Sequence, residues 1–123
     1  MARILVVEDN PVNLELVRDI LEAHGHEVLE ASNATDGLAL LSGELPDLIL
    51  MDIQLPGMDG LTATRQIKAD ARLQGIPVVA LTAHAMRGDE ERALAAGCDG
   101  YVSKPIDTRA LPQMVAGFLV SPG

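Results

Sequence analysis

Two rhythms of apolar residues alternate along the chain. Short runs, ILVV (4–7), EVLEA (27–31), DLILM (47–51), VVAL (78–81) and YV (101–102), have the length and the β-branched or aliphatic content of strands. After each run the apolar positions return every three or four residues, the period of a helix with one packed face. The first helix is the clearest, with Asn10 as N-cap, Pro11 at the first helical position and Gly25 beyond its end. Its Leu14, Leu16, Val17, Ile20 and Leu21 share one side, and Glu15, Arg18, Asp19 and Glu22 the other. Later helices are predicted at about 34–42, 59–70, 87–96 and 108–119. Strict alternation of strand and helix implies an α/β fold, a parallel sheet with helices on both faces. Strands 1, 3 and 4 lack polar alternation, as central strands covered on both sides should.

In such a sheet every strand ends on the same edge, and ligands bind in the crevice there. Strand 1 runs into Glu8 and Asp9, strand 3 into Asp52, strand 4 into Thr82, and strand 5 into Ser103 and Lys104. Any one acid in such a place is usually a helix cap or a solvated loop residue. Glu8, Asp9, Asp52, Thr82 and Lys104 coinciding at one edge ask for a common purpose. Three carboxylates in one crevice raise one another's pKa unless positive charge neutralises them, and Lys104 alone is too little. An all-oxygen set without cysteine or well-spaced histidine selects a hard cation, and Mg²⁺ is the usual one beside phosphate chemistry. Glu8 and Asp9 would hold it, directly or through water. Asp52, central in the sheet, becomes the nucleophile toward a phosphoryl donor, with the Lys104 ammonium and the Thr82 hydroxyl on the phosphoryl oxygens.

Composition narrows the setting. The 123 residues fit one domain, 1–123, without linker or repeat. A formal charge of −9 repels a phosphate backbone, which argues against direct nucleic-acid binding. No stretch has the length of a signal-peptide core or membrane span, so a cytoplasmic location is expected. Cys98 reads as a small, partly buried loop residue, and His24 and His26 as solvated residues around a helix end. Asp59 reads as the cap of the third helix, and Asp89, Glu90 and Glu91 as acids favoured in a first turn by the helix dipole.

With Glu8-Asp9, LMDIQLPGMDG around Asp52, VVALTA near Thr82 and YVSKP carrying Lys104, the chain resembles the receiver domain of two-component response regulators over essentially its whole length. EDNPVN, MRGDEER and GCDGYVSKPI look most like single-domain regulators of the DivK type and the receivers of hybrid kinases. The resemblance implies strand order 2-1-3-4-5, a cis Lys104-Pro105 bond, and metal binding by Asp52 and the Gln54 carbonyl beside Glu8 and Asp9. It also implies a switch pair, Thr82 and Tyr101, although Tyr101 read alone is sooner a strand residue packed on a neighbour. It further implies a phosphoryl donor, a histidine kinase or histidine phosphotransfer protein, docking near Asn13, Leu14, Pro105 and Ile106. Leu14 alone reads equally as core.

Two rival functions are weaker. A phosphatase resembling the haloacid dehalogenases needs a second Asp two residues after the nucleophile, where this chain has Gln54. A flavodoxin-like carrier needs a Ser/Thr/Gly-rich loop after strand 1 and aromatic residues; here that loop begins Glu8-Asp9, and Tyr101 and Phe118 are the only aromatics. The expected role is a phospho-acceptor switch, not an enzyme, with slow self-catalysed phosphorylation and dephosphorylation at most. With the chain ending at Ser121-Pro122-Gly123, its output is expected to be binding to a downstream protein. Helix 5 departs from the family's pattern. With Asp107 as N-cap, Pro112 takes the fifth helical position and Gly117 weakens the helix further. Either Thr108 to Leu111 form a separate turn or the helix kinks. Both alter a face that many receivers use to pair, so a monomer is expected.

Overall fold

A computed structural model describes residues 2–55, 57–82 and 88–119. Five strands, β1 (Arg3–Val7), β2 (Glu27–Ala31), β3 (Leu48–Asp52), β4 (Val78–Thr82) and β5 (Gly100–Ser103), alternate with α1 (Pro11–Ala23), α2 (Ala34–Leu40), α3 (Gly60–Ala69), α4 (Asp89–Ala96) and α5 (Ala110–Leu119). The sheet is wholly parallel, in the order β2-β1-β3-β4-β5 that the resemblance implies. Every residue of β3 and β4 is buried, whereas the edge strands β2 and β5 keep exposed positions. Continuous apolar runs and central position therefore have one cause: helices cover both faces of the middle strands.

The period-2 geometry of a strand divides the core into two layers. Ile4, Val6, Leu48, Leu50, Val79 and Leu81 meet Val17 and Leu21 of α1 and Leu111 and Val115 of α5 on one face. Leu5, Val7, Ile49, Met51 and Ala80 meet Ala34 of α2, Ala63 and Ile67 of α3, and Ala93 and Ala96 of α4 on the other. Fully burying a Leu or Ile side chain contributes about 1.5–3 kcal/mol, so these layers dominate the stability.

Caps fix where the helices start. Asn10 Oδ1 accepts from the Val12 and Asn13 amides, and Asp59 Oδ1 from the Thr62 amide, as expected. Gly60 then begins α3 so close to β3 that an added Cβ would lie 2.1 Å from the Asp52 carbonyl oxygen and 2.8 Å from Ile53 Cα. Away from that edge, Lys68 Nζ donates to the Gln74 and Ile76 carbonyls and to Asp99 Oδ2, which also accepts from the Val78 amide at 2.8 Å. Cys98 is more buried than expected, with its Sγ 3.8 Å from Thr64 Oγ1. His24 is exposed as expected, but half-buried His26 accepts a hydrogen bond from the Ala2 amide and so belongs to the packing of β1 on β2.

At α5 the first alternative is met only in part: residues 108 and 109 form a turn, but Ala110 and Leu111 already belong to the helix. Asp107 Oδ1 accepts from the Arg109 and Ala110 amides, and its carbonyl accepts from Leu111, which closes one turn. Pro112 has no amide hydrogen to continue that ladder, and regular helix begins at Ala110, two residues later than expected. The other helices depart from expectation by a residue or two at their ends, save that residue 87, the expected start of α4, lies outside the described residues. The Lys104-Pro105 bond is cis, as the resemblance implies.

Candidate functional site

Each group at the sheet's carboxyl edge hangs from a backbone hydrogen bond that continues the parallel ladder past the strand. The Glu8 amide donates to the Ala31 carbonyl at 3.0 Å, the Ile53 amide to Leu81 at 3.2 Å, and the Lys104 amide to Thr82 at 2.7 Å. The side chains on these rungs converge. Lys104 Nζ lies 2.7 Å from Glu8 Oε1 and 3.0 Å from Asp52 Oδ2. Asp52 Oδ1 accepts from the Gln54 amide at 2.9 Å, and Glu8 Oε2 from the Asn10 amide at 3.2 Å.

Glu8 is fully buried and Asp52 is 3% exposed, so two carboxylates share one ammonium out of water. The consequence falls on Glu8. Burial, aided by hydrogen bonding to Asp52 and by its charge, pushes the Glu8 carboxyl from 4.5 up to about 7, against the opposing pull of Lys104 and the Asn10 amide. Burial acts to lower the Lys104 pKa, but Glu8 and Asp52 together outweigh it and hold the ammonium above its ordinary value.

The geometry suits a hard cation. One carboxylate oxygen from each of Glu8, Asp9 and Asp52 lies within 4.8 Å of the others, and Asp9 is the exposed member of the three. Glu8 Oε1 is buried and, although paired in charge with Lys104, accepts no well-directed hydrogen bond. A third oxygen ligand set facing an under-satisfied carboxylate is what an oxygen-loving divalent ion requires.

Thr82 is fully buried, and its Oγ1 donates to Asp89 Oδ2 at 3.0 Å. Tyr101 is 40% exposed and turned toward Glu90 of α4, whose carboxylate raises the phenol's pKa. Of the expected docking residues, Asn13 is half-buried and Pro105 exposed beside the site. Ile106 corrects the expectation: it is buried in the core layer with α1 and α5, because the chain turns inward toward α5 after Pro105. Leu14 packs against the same layer.

Two residues were missed. Val12, 72% exposed at the start of α1, has the free apolar surface that Ile106 lacks. Asp89 is 2% exposed and holds Thr82, whereas Glu90 and Glu91 beside it do not. In sequence the three acids look alike, and only the approach of α4 to the end of β4 separates them.

Comparison with known proteins gives one answer. A family model described as "Response regulator receiver domain" matches residues 4–116. The polar-differentiation response regulator DivK of Brucella anthropi is 46% identical over 116 residues, which cover 94% of this chain and 94% of that protein. Among solved structures, the receiver domain of a Pseudomonas aeruginosa sensor histidine kinase, with a magnesium ion coordinated in its active-site cleft, superposes with a TM-score of 0.91 at 36% identity over 98% of each chain. A response regulator from Chloroflexus aurantiacus superposes with a TM-score of 0.93 at 27% identity over 96% of this chain and 97% of that one.

The raised Glu8 pKa sets a pH dependence. Between 4.5 and about 7 the folded chain keeps a proton that the unfolded chain has lost, so stability falls as pH rises through that window. With divalent ions chelated, Glu8→Gln should be more stable than the parent by about 1–3 kcal/mol near pH ~8, with the gap closing toward pH ~5. Urea denaturation at the two pH values checks this, and added Mg²⁺ should stabilise the parent more than the variant.

Proposed function

Since this chain belongs to the response regulator receiver family of two-component signalling, we propose that it acts as a switch phosphorylated on Asp52, with a histidine kinase or histidine phosphotransfer protein as donor. The observation that carries this reading is Lys104 Nζ bridging Asp52 and Glu8, a fixed positive charge against the nucleophile. An Asp52 oxygen attacks the donor's phosphorus, the bond from phosphorus to the donor's leaving group breaks, and an acyl phosphate remains on Asp52. The Gln54 amide holds the other Asp52 oxygen and so orients the carboxylate. Lys104 then pairs with one phosphoryl oxygen, and Thr82 donates to another.

Glu8, Asp9, Asp52 and the Gln54 carbonyl would hold Mg²⁺, which when bound supplies the charge that neutralises the phosphoryl oxygens. The donor set and the under-satisfied Glu8 oxygen support this. Gln54 cannot move a proton at neutral pH, so hydrolysis of the acyl phosphate is slow. The product is a lasting signal, and turnover is not the purpose. Tyr101, turned outward in this structure, follows Thr82 inward as the second half of the switch.

The output is binding to a downstream protein, in the cytoplasm. Relatives of nearly the same length support the first statement. The second draws support from the described residues, in which no helix is long and apolar enough to cross a membrane. The net charge of −9 disfavours nucleic acid as a direct partner. Donor docking falls on Val12, Asn13 and Pro105, which flank the carboxylate cluster. The protein stays a monomer, because the ladder broken at Pro112 resets the face formed by α4, β5 and α5.

Acetyl phosphate with Mg²⁺ should add one phosphoryl group to the parent and none to Asp52→Asn, as read by intact-mass spectrometry; an undiminished adduct on the variant would refute the central reading. Substituting Val12 and Asn13 together should slow transfer from a phosphotransfer partner by about tenfold, roughly 1.4 kcal/mol, and leave the acetyl phosphate rate unchanged. Equal slowing with both donors would mean the pair is structural. Sedimentation of the beryllofluoride-treated protein should show a monomer, and a tight dimer would count against the reading of α5.

A further inference from the structure

The resting position of Thr82 is held by a residue outside the phosphorylation chemistry. Its Oγ1 donates to Asp89 Oδ2 at 3.0 Å, with Thr82 fully buried and Asp89 only 2% exposed. The other Asp89 oxygen pairs with Arg92, one turn further along α4, so the charge of Asp89 stays balanced whether or not Thr82 remains. A hydroxyl carries one proton and can give it to one acceptor at a time. If Asp52 is the phosphoryl acceptor, the reading on which this inference rests, that proton has two claimants.

We propose that Asp89 is the latch of the resting switch: its buried carboxylate competes with the phosphoryl oxygen for the Thr82 proton and ties the first turn of α4 to the end of β4 until phosphorylation releases it. The adjacent residue has a matching relation to the other switch side chain. The carboxylate of Glu90, the next acid in the same helical turn, raises the pKa of the Tyr101 phenol, so consecutive acids of that turn act on both halves of the switch. Release of Thr82 therefore loosens the turn against which Tyr101 rests. The first turn of α4 becomes the element whose position reports the state of Asp52. By linkage, whatever the latch contributes to the resting state is subtracted from the affinity for a phosphoryl group, so removing it must tighten binding of a phosphoryl mimic.

The test is beryllofluoride binding to the full chain in Mg²⁺, followed by fluorine NMR. Asp89→Ala should bind roughly tenfold more tightly than the parent, within the usual range for coupled sites. The near-isosteric Asp89→Asn, which keeps a neutral acceptor and the side-chain volume, should show a smaller tightening. In a Thr82→Ala background, where no hydroxyl proton exists to compete for, both substitutions should leave beryllofluoride affinity where Thr82→Ala alone sets it. Unchanged or weaker binding by Asp89→Asn would overturn the latch. So would equal tightening with and without Thr82, because Asp89 would then act by another route. Failure of the parent to bind beryllofluoride at all would overturn the Asp52 reading, and the latch with it.

Discussion

The structure turns on one ammonium placed between two buried carboxylates. Removing either partner from a buried ion pair leaves an uncompensated charge, at a cost of about 3–5 kcal/mol. Here the pairing is incomplete from the outset, since Lys104 serves both Glu8 and Asp52. The sheet supplies the rigidity that holds this arrangement together. Glu8 and Lys104 each begin one ladder rung beyond their strand, and Asp52 closes its own, so like charges cannot drift apart to relieve themselves. The cost of burying Glu8, added to by its hydrogen bond with Asp52 and by the charge of Asp52, shows as the raised Glu8 pKa, and a cation or proton arriving there relieves it. Ion binding and the chemistry of the nucleophile are thus two uses of the same imbalance.

The two layers of the core divide the labour around this centre. One layer, with α1 and α5, buries Ile106 beneath the residues proposed for donor docking. The other, with α2, α3 and α4, lies behind the strand ends and includes the helix whose first turn meets Thr82. On the proposed reading, donor docking and the Asp89 latch thus fall on opposite faces of one sheet. Communication between them needs no long path, because β4 belongs to both layers.

Legibility in the sequence followed burial. Strands β1, β3 and β4 were plain because double coverage erases polar alternation, and the strand-end groups followed because a parallel sheet gathers them on one edge. The start of α5 was foreseeable as two alternatives, since the missing Pro112 amide is a covalent fact, but the choice between them depended on packing. Tyr101 and Gln54 owed their assignments to family resemblance; neither residue type in its place dictates a role. Ile106 was misjudged because one residue separates exposed Pro105 from a side chain in the core, and sequence does not fix the direction of such a turn. Asp89 was invisible for a further reason. First-turn acids are favoured on any helix, and that general preference concealed the one acid with a buried partner.

The contact at Gly60 gives the switch a direction. With a glycine hydrogen as the only spacer between α3 and the Asp52 carbonyl, that side of the acceptor strand has no compliance: interiors at this density yield little to a push of even a methyl's size. If Asp52 is the acceptor, room for its phosphoryl group does not come from backing β3 into α3. On the same reading the give lies along the sheet toward β4, where a hydrogen bond and an ion pair are softer than touching backbones. The smallest kind of residue in the protein is in this sense the anvil of the proposed switch, with α4 on its yielding side.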